Sequence, residues 1–111
     1  MRTREYLGQL ELMVLFAVIG SGDEAYGVSI TRDIEAKSGR DVALASVYAA
    51  LERLEAKGLV SSLRGEPMPE RGGRARTYFK HTAAGLREAR SARTTLMRLS
   101  GDVLLPDGPR G

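Results

Sequence analysis

The sequence contains no cysteine, no tryptophan, a single histidine and only 5% aromatic residues. Without cysteine there is no disulfide framework, no thiolate metal site and no cysteine nucleophile. One histidine, His81, rules out a pair of imidazole ligands and leaves no supported Ser, His and Asp set. Its place, closing a strand-like run just before Thr82, reads as structural. Long apolar runs are missing too: the longest, Leu12 to Ile19, is eight residues, against the roughly 20 that span a bilayer. Glu5 and Glu11 interrupt the start and no small-residue cleavage site comes after it, so no secretory signal is read and a cytoplasmic location is expected. Gly72 and Gly73 have neither Walker nor dinucleotide-binding spacing around them. Glu52 and Glu55 flank Arg53 as solvated charge would. No cofactor is expected, and no catalytic constellation emerges.

The residues that are present are ordinary in amount and uneven in placement. Hydrophobic residues make up 42% and charged residues 28% of 111 positions, the composition of one folded domain, small enough that association with a second copy would add usefully to its buried surface. The net charge is only +3. Residues 1–63 carry seven Lys or Arg against nine acids, residues 64–80 five against two, and residues 81–111 five against three. The positive balance therefore sits on residues 64–80 and the C-terminal stretch, a distribution suited to a polyanion.

In chain order, residues 1–5 form a short arm, and Leu7 to Ile19 reads as a helix that is apolar nearly all round. Such a helix must be covered nearly all round, and a short chain has little to cover it with, which points to a second copy. Ser21, Gly22 and Asp23 break it. Tyr26 to Ser38 resumes helical spacing with Tyr26, Ile30 and Ile34 on one face, ending at Gly39. Val42 and Leu44 alternate as a brief third strand would.

Leu44, Val47, Leu51 and Leu54 give the next helix a core line, from about Ala45 to Lys57, closed by Gly58. Ser46, Ala49, Glu52, Arg53 and Ala56 then point away, with Tyr48 on the flank, open equally to core and surface. The outward residues near its start are small, as a helix entering a major groove about 12 Å wide requires. Two strand-like runs come next, Leu59 to Gly65 and Ala75 to Lys80, joined by a polar loop. Arg64, Arg71, Arg74, Arg76 and Lys80 lie on or beside this hairpin, and Phe79 is its candidate core residue. Thr82 is a candidate N-cap for a last helix to about Ser100, with an apolar seam at Ala89, Ala92, Leu96, Leu99 and Val103. Residues 105–111 read as a loose tail.

Helix, helix, reading helix and basic hairpin, in that order, make a winged helix-turn-helix: a mainly α fold with a small β hairpin and a C-terminal dimerisation helix. Residues 1–81 form the DNA-binding unit and residues 82–104 the dimerisation helix. The blocks LGQLELMVLFAV, EAYGVSI, SVYAALERLEAKGLV and GEPMPERGGRARTYFKHTAAG together closely resemble the PadR family of bacterial transcriptional regulators, especially its short members. The resemblance implies a homodimer held by the first and last helices, binding an inverted repeat in double-stranded DNA and repressing transcription. By similarity, the DNA-facing positions are Ser46, Tyr48, Ala49 and Arg53 on the reading helix and Arg71, Arg74 and Arg76 on the wing. Ser46 and the wing arginines are expected on phosphates, and Arg53 on a phosphate or a guanine edge. The dimer interface is expected at Leu10, Val14, Leu86, Leu96 and Leu99. The sequence departs from relatives that carry an apolar residue where His81 stands, and from those with a bulky aromatic late in the last helix. Two other readings are open: a sensor that binds a small hydrophobic effector at the dimer interface, and a winged-helix module that docks a protein partner.

Overall fold

The computed structural model describes residues 6–67, 72 and 75–106. Four α-helices and a two-stranded antiparallel sheet succeed one another as α1 (Gln9–Ser21), a 3-10 turn (Gly22–Glu24), α2 (Gly27–Ser38), α3 (Leu44–Ala56), β1 (Val60–Pro67), β2 (Ala75–His81) and α4 (Ala83–Gly101). The winged helix-turn-helix expected from the sequence is the fold observed.

The core forms where the apolar lines of α1, α2 and α3 meet. Val14, Leu15 and Val18 of α1, Ile30 and Ile34 of α2, and Val47, Ala50, Leu51 and Leu54 of α3 are buried together, closed below by Val60 and Phe79 of the hairpin. Burying an aliphatic side chain of this size stabilises the fold by about 1.5–3 kcal/mol, so these contacts dominate. The single buried polar side chain among the described residues, Thr31, is satisfied internally: its hydroxyl donates to the Gly27 carbonyl at 2.8 Å.

Punctuation read from the sequence holds. Gly39 and Gly58 end α2 and α3 with φ of 72° and 74°, a left-handed conformation that costs glycine nothing. Thr82 caps α4, its hydroxyl accepting from the Gly85 N–H at 3.0 Å and donating to the Gly58 carbonyl at 2.6 Å. That second bond ties the last helix to the end of α3.

Two expectations need correction. Val42 and Leu44 do not add a strand. Val42 donates its N–H to the Glu35 carboxylate at 3.0 Å, and Leu44 opens α3 with 40% of its surface exposed. The third-strand position is held instead by the α1–α2 corner, where Tyr26 bridges to Tyr78 and Phe79 donates to the Ala25 carbonyl at 2.8 Å. Val14 is fully buried in its own chain, so it has no surface to offer a partner. Its neighbours on the outer side of α1, Leu12, Met13 and Phe16, retain that surface.

Candidate nucleic-acid interface

α3 and the hairpin share one side of the molecule because each is anchored to the same core. Val47, Ala50, Leu51 and Leu54 turn inward, which fixes the remaining positions by the 3.6-residue period. Ser46 is exposed, Ala49 is half-buried, and Glu52 and Ala56 are exposed. The outward surface is thus low at its start, allowing close approach to a duplex, and it carries few donors for base edges.

Tyr48 belongs neither to the core nor to open solvent. It is 43% exposed, and its ring lies over Gly27 at the start of α2, where a Cβ would overlap the ring and its hydroxyl. Glycine at position 27 is therefore a requirement of space. The same turn is fixed by Ser29, whose hydroxyl accepts from the Tyr26 N–H at 3.0 Å and donates to the Glu24 carbonyl at 2.9 Å. The Tyr48 phenol therefore lies over the first residue of α2, at the end of a helix that favours anions.

Arg53 is tethered. Glu11 of α1, only 12% exposed, takes Lys57 at 2.7 Å and Arg53 at 3.5 Å. The Lys57 ammonium, and after it Arg53, hold the Glu11 carboxyl below its ordinary value despite the opposing effect of burial. The result is an electrostatic link between the first helix and the back half of the reading helix. Arg53 keeps 51% of its side chain in solvent, so it stands on the flank of α3 beside α1.

On the wing, β1 and β2 pair from Val60↔His81 through Arg64↔Thr77, with an irregularity before Pro67↔Ala75. Phe79 points into the core and Tyr78 to the other face. Gly65 lies under the Tyr78 ring: a Cβ there would come within 2.8 Å of it. Tyr78 meets Tyr26 edge-on at 5.8 Å, and the Arg76 guanidinium lies 3.9 Å over the Tyr26 ring. Stacking of this kind contributes about 0.5–1 kcal/mol at an exposed site and fixes the wing's angle to α2. Arg76 is half-buried by it. Arg64 and Lys80 flank it on the strands, Lys80 exposed, and Arg71 and Arg74 lie outside the described residues.

The structure thus brings Ser46, Tyr48, Ala49 and Arg76 to one side of the molecule, with Arg53 at its margin. The sequence pattern missed the Tyr26–Arg76–Tyr78 stack and the Glu11 tether. The only local signal for either was an acidic residue inside an otherwise apolar helix. Among the described residues no group of His, Asp and Glu could hold a metal ion, and no helix is long and apolar enough to cross a membrane.

Solved structures share this arrangement. A transcriptional regulator from Clostridium thermocellum superimposes with a TM-score of 0.68 at 24% identity, covering 82% of this chain and 85% of that one. A PadR family transcriptional regulator from Eggerthella lenta gives 0.65 at 26% identity, over 80% and 75% of the two chains. A PadR-like regulator from Bacillus cereus gives 0.69 at 21% identity, over 83% and 84%. No curated protein matches significantly. The family model for the transcriptional regulator PadR-like family matches residues 15–91, which span α1 to the middle of α4 and include both the reading helix and the wing. The chain belongs to the PadR-like family of transcriptional regulators, and it is a DNA-binding winged-helix protein.

Proposed function

We propose that the protein is a homodimeric repressor that binds an inverted-repeat operator, one half-site to each copy. The observation that carries this reading is the low outward surface of α3 set beside an arginine-bearing wing, next to a last helix whose apolar seam is bare. Two-fold pairing through α1 and α4 would present two such faces, and half-sites one helical turn apart, about 34 Å, are the natural spacing. Such a protein works where the chromosome is, in the cytoplasm of a bacterial cell.

Within each half, Ser46, the Tyr48 hydroxyl, Arg71 and Arg74 contact phosphate, while Ala49 lets the backbone of α3 come close. Arg53 reaches a flanking phosphate from its place beside Glu11, and Arg76 holds the wing at its working angle. With so few base-reading donors on α3, operator choice rests strongly on DNA shape. Leu96 and Leu99 of α4, with Leu10 and Leu86 at the edges of the core, form the partner-facing set together with Leu12, Met13 and Phe16.

Gel-shift titration against the chain's own upstream region tests the reading. Binding should weaken steeply with salt, and Arg74→Ala should reduce affinity on every sequence and lower the salt slope by about 1. Binding indifferent to salt would contradict it.

One observation supports the sensor reading. A groove of about 390 Å³ opens between the chain's start and α4, lined by Tyr6, Leu7, Leu12, Ala92, Leu96 and Leu99. It is apolar enough to take a flat hydrophobic compound at the dimer face, and a ligand there would raise the melting temperature of the native dimer. The absence of such a shift across a panel of planar hydrophobic compounds would leave the repressor without this effector class.

A further inference from the structure

The core line of α3, Val47, Ala50, Leu51 and Leu54, also fixes which residues point straight away from the core. At about 3.6 residues per turn, Ala45, Ala49, Glu52 and Ala56 all lie within about 30° of that outward direction. Three of the four end in a methyl group. Glu52 is thus the one long side chain on the row, and it is exposed. The charged residues next to it on α3 are engaged elsewhere. Arg53 turns to Glu11 at 3.5 Å, and the Glu55 carboxylate accepts from the Ser62 N–H at 3.2 Å and from its hydroxyl at 2.8 Å. Glu52 itself meets no cation among the described residues. It shares with Tyr48 and Thr77 the lining of a cleft of about 250 Å³ between α3 and the wing.

We propose that Glu52 is a specificity-determining residue of the DNA contact, its carboxylate accepting a hydrogen bond from the N4 amino group of a cytosine in the major groove. This rests on the operator-binding reading above and adds the base that each half-site must hold. A duplex that closes on the three alanines must meet the Glu52 carboxylate, because nothing else on the row stands as high. An ionised carboxylate can only accept. It is repelled by phosphate, by the O6 and N7 acceptors of guanine and by the O4 acceptor of thymine. Adenine sets its N6 amino group beside the N7 lone pair, whereas cytosine presents its N4 amino group without an acceptor of its own. The same charge therefore disfavours duplexes in general and spares those with cytosine at one position, which is discrimination by repulsion as well as by attraction. Ala45, Ala49 and Ala56 contribute by their size, letting the helix come close enough for a side chain of this length to touch a base edge.

Binding-site selection from duplexes with randomised half-sites, run with the full-length wild type and with Glu52→Ala, tests the assignment. Glu52 is exposed and alanine suits a helix, so the variant should keep the wild-type fold. The wild type is expected to select cytosine at one position of each half-site, and replacing that base pair should weaken its binding by about tenfold. Glu52→Ala should accept any base there and bind the other sequences more tightly than the wild type does. Glu52→Gln, whose amide can pair with both N6 and N7 of adenine, should admit adenine at the same position. A cytosine preference that survives in Glu52→Ala overturns the proposal and leaves the DNA-binding reading standing. So does a uniform gain in affinity for Glu52→Ala with the base preferences unchanged, which would make Glu52 a repelling charge and nothing more. A protein with no salt-sensitive binding to any duplex overturns both.

Discussion

α3 and α4 are both amphipathic, and they end differently. α3 buries Val47, Ala50, Leu51 and Leu54 within its own chain. α4 buries only Gly85 and Ala89, leaving Leu96 and Leu99, and Val103 just beyond it, at 53%, 67% and 52% exposure. The helix of the reading face is therefore complete in one copy, while on the dimer proposed above the helix that would set the distance between two reading heads is completed only by a partner. That proposal assigns the affinity of a single head and the spacing of two heads to separate parts of the chain, and substitutions should separate them.

The largest expected effect is on the finished side. Leu51 is 1% exposed at the centre of the core, so Leu51→Ala should lower unfolding free energy by about 2–5 kcal/mol in urea titration and abolish DNA binding with it. A loss below about 1 kcal/mol would mean that α3 is not held as described. Next is the joint between the two helices. A Cβ at Gly85 would overlap the Leu59 carbonyl, and a backbone atom cannot turn aside as a side chain can. Gly85→Ala should cost about 1–3 kcal/mol by overpacking, and because it shifts the root of α4 it should also weaken dimerisation. Unchanged stability would show that α4 is not seated on the turn after α3.

The smallest effect is the electrostatic link. Glu11→Gln removes the partner of Lys57 and Arg53 without changing shape, and because both cations keep much of their side chains in solvent a loss of about 1 kcal/mol or less is expected. Its pH sign is fixed by the lowered Glu11 value. A carboxyl depressed in the folded state stabilises fully above its ordinary value of 4.5 and loses that contribution as the pH falls through the lowered one. Wild type and Glu11→Gln should therefore differ at neutral pH and converge in acid. A gap that does not narrow as the pH falls through the lowered Glu11 value would assign the effect to packing.

Much of the finished side could be read from the sequence, and the reasons are local. Three-and-four spacing placed α2 and α3, Gly39 and Gly58 marked their ends, and Thr82 marked the start of α4. The features that could not be read depend on contacts between distant positions. α1 is apolar on every side, so its periodicity says nothing about which face is inward, and Val14 looked as available as Leu12. The third-strand place went to Ala25 and Tyr26 through a bridge to β2 more than fifty residues away, which no alternation pattern near Val42 could reveal. Arg53 looked free because its carboxylate partner lies on another helix. The wing arginines were recognisable by composition alone, and Arg76 turned out to grip Tyr26.

The separation of head from spacer is tested most directly by Leu96→Asp combined with Leu99→Asp, two exposed positions that charge the seam of α4. Light scattering and DNA titration on that one variant should give a folded monomer of about 12.0 kDa. Its binding to a single half-site should stay weak and salt-dependent, and its cooperative binding to the full inverted repeat should be lost. A variant that remains dimeric, or a folded monomer that still binds the full repeat as tightly as the wild type, would contradict the account.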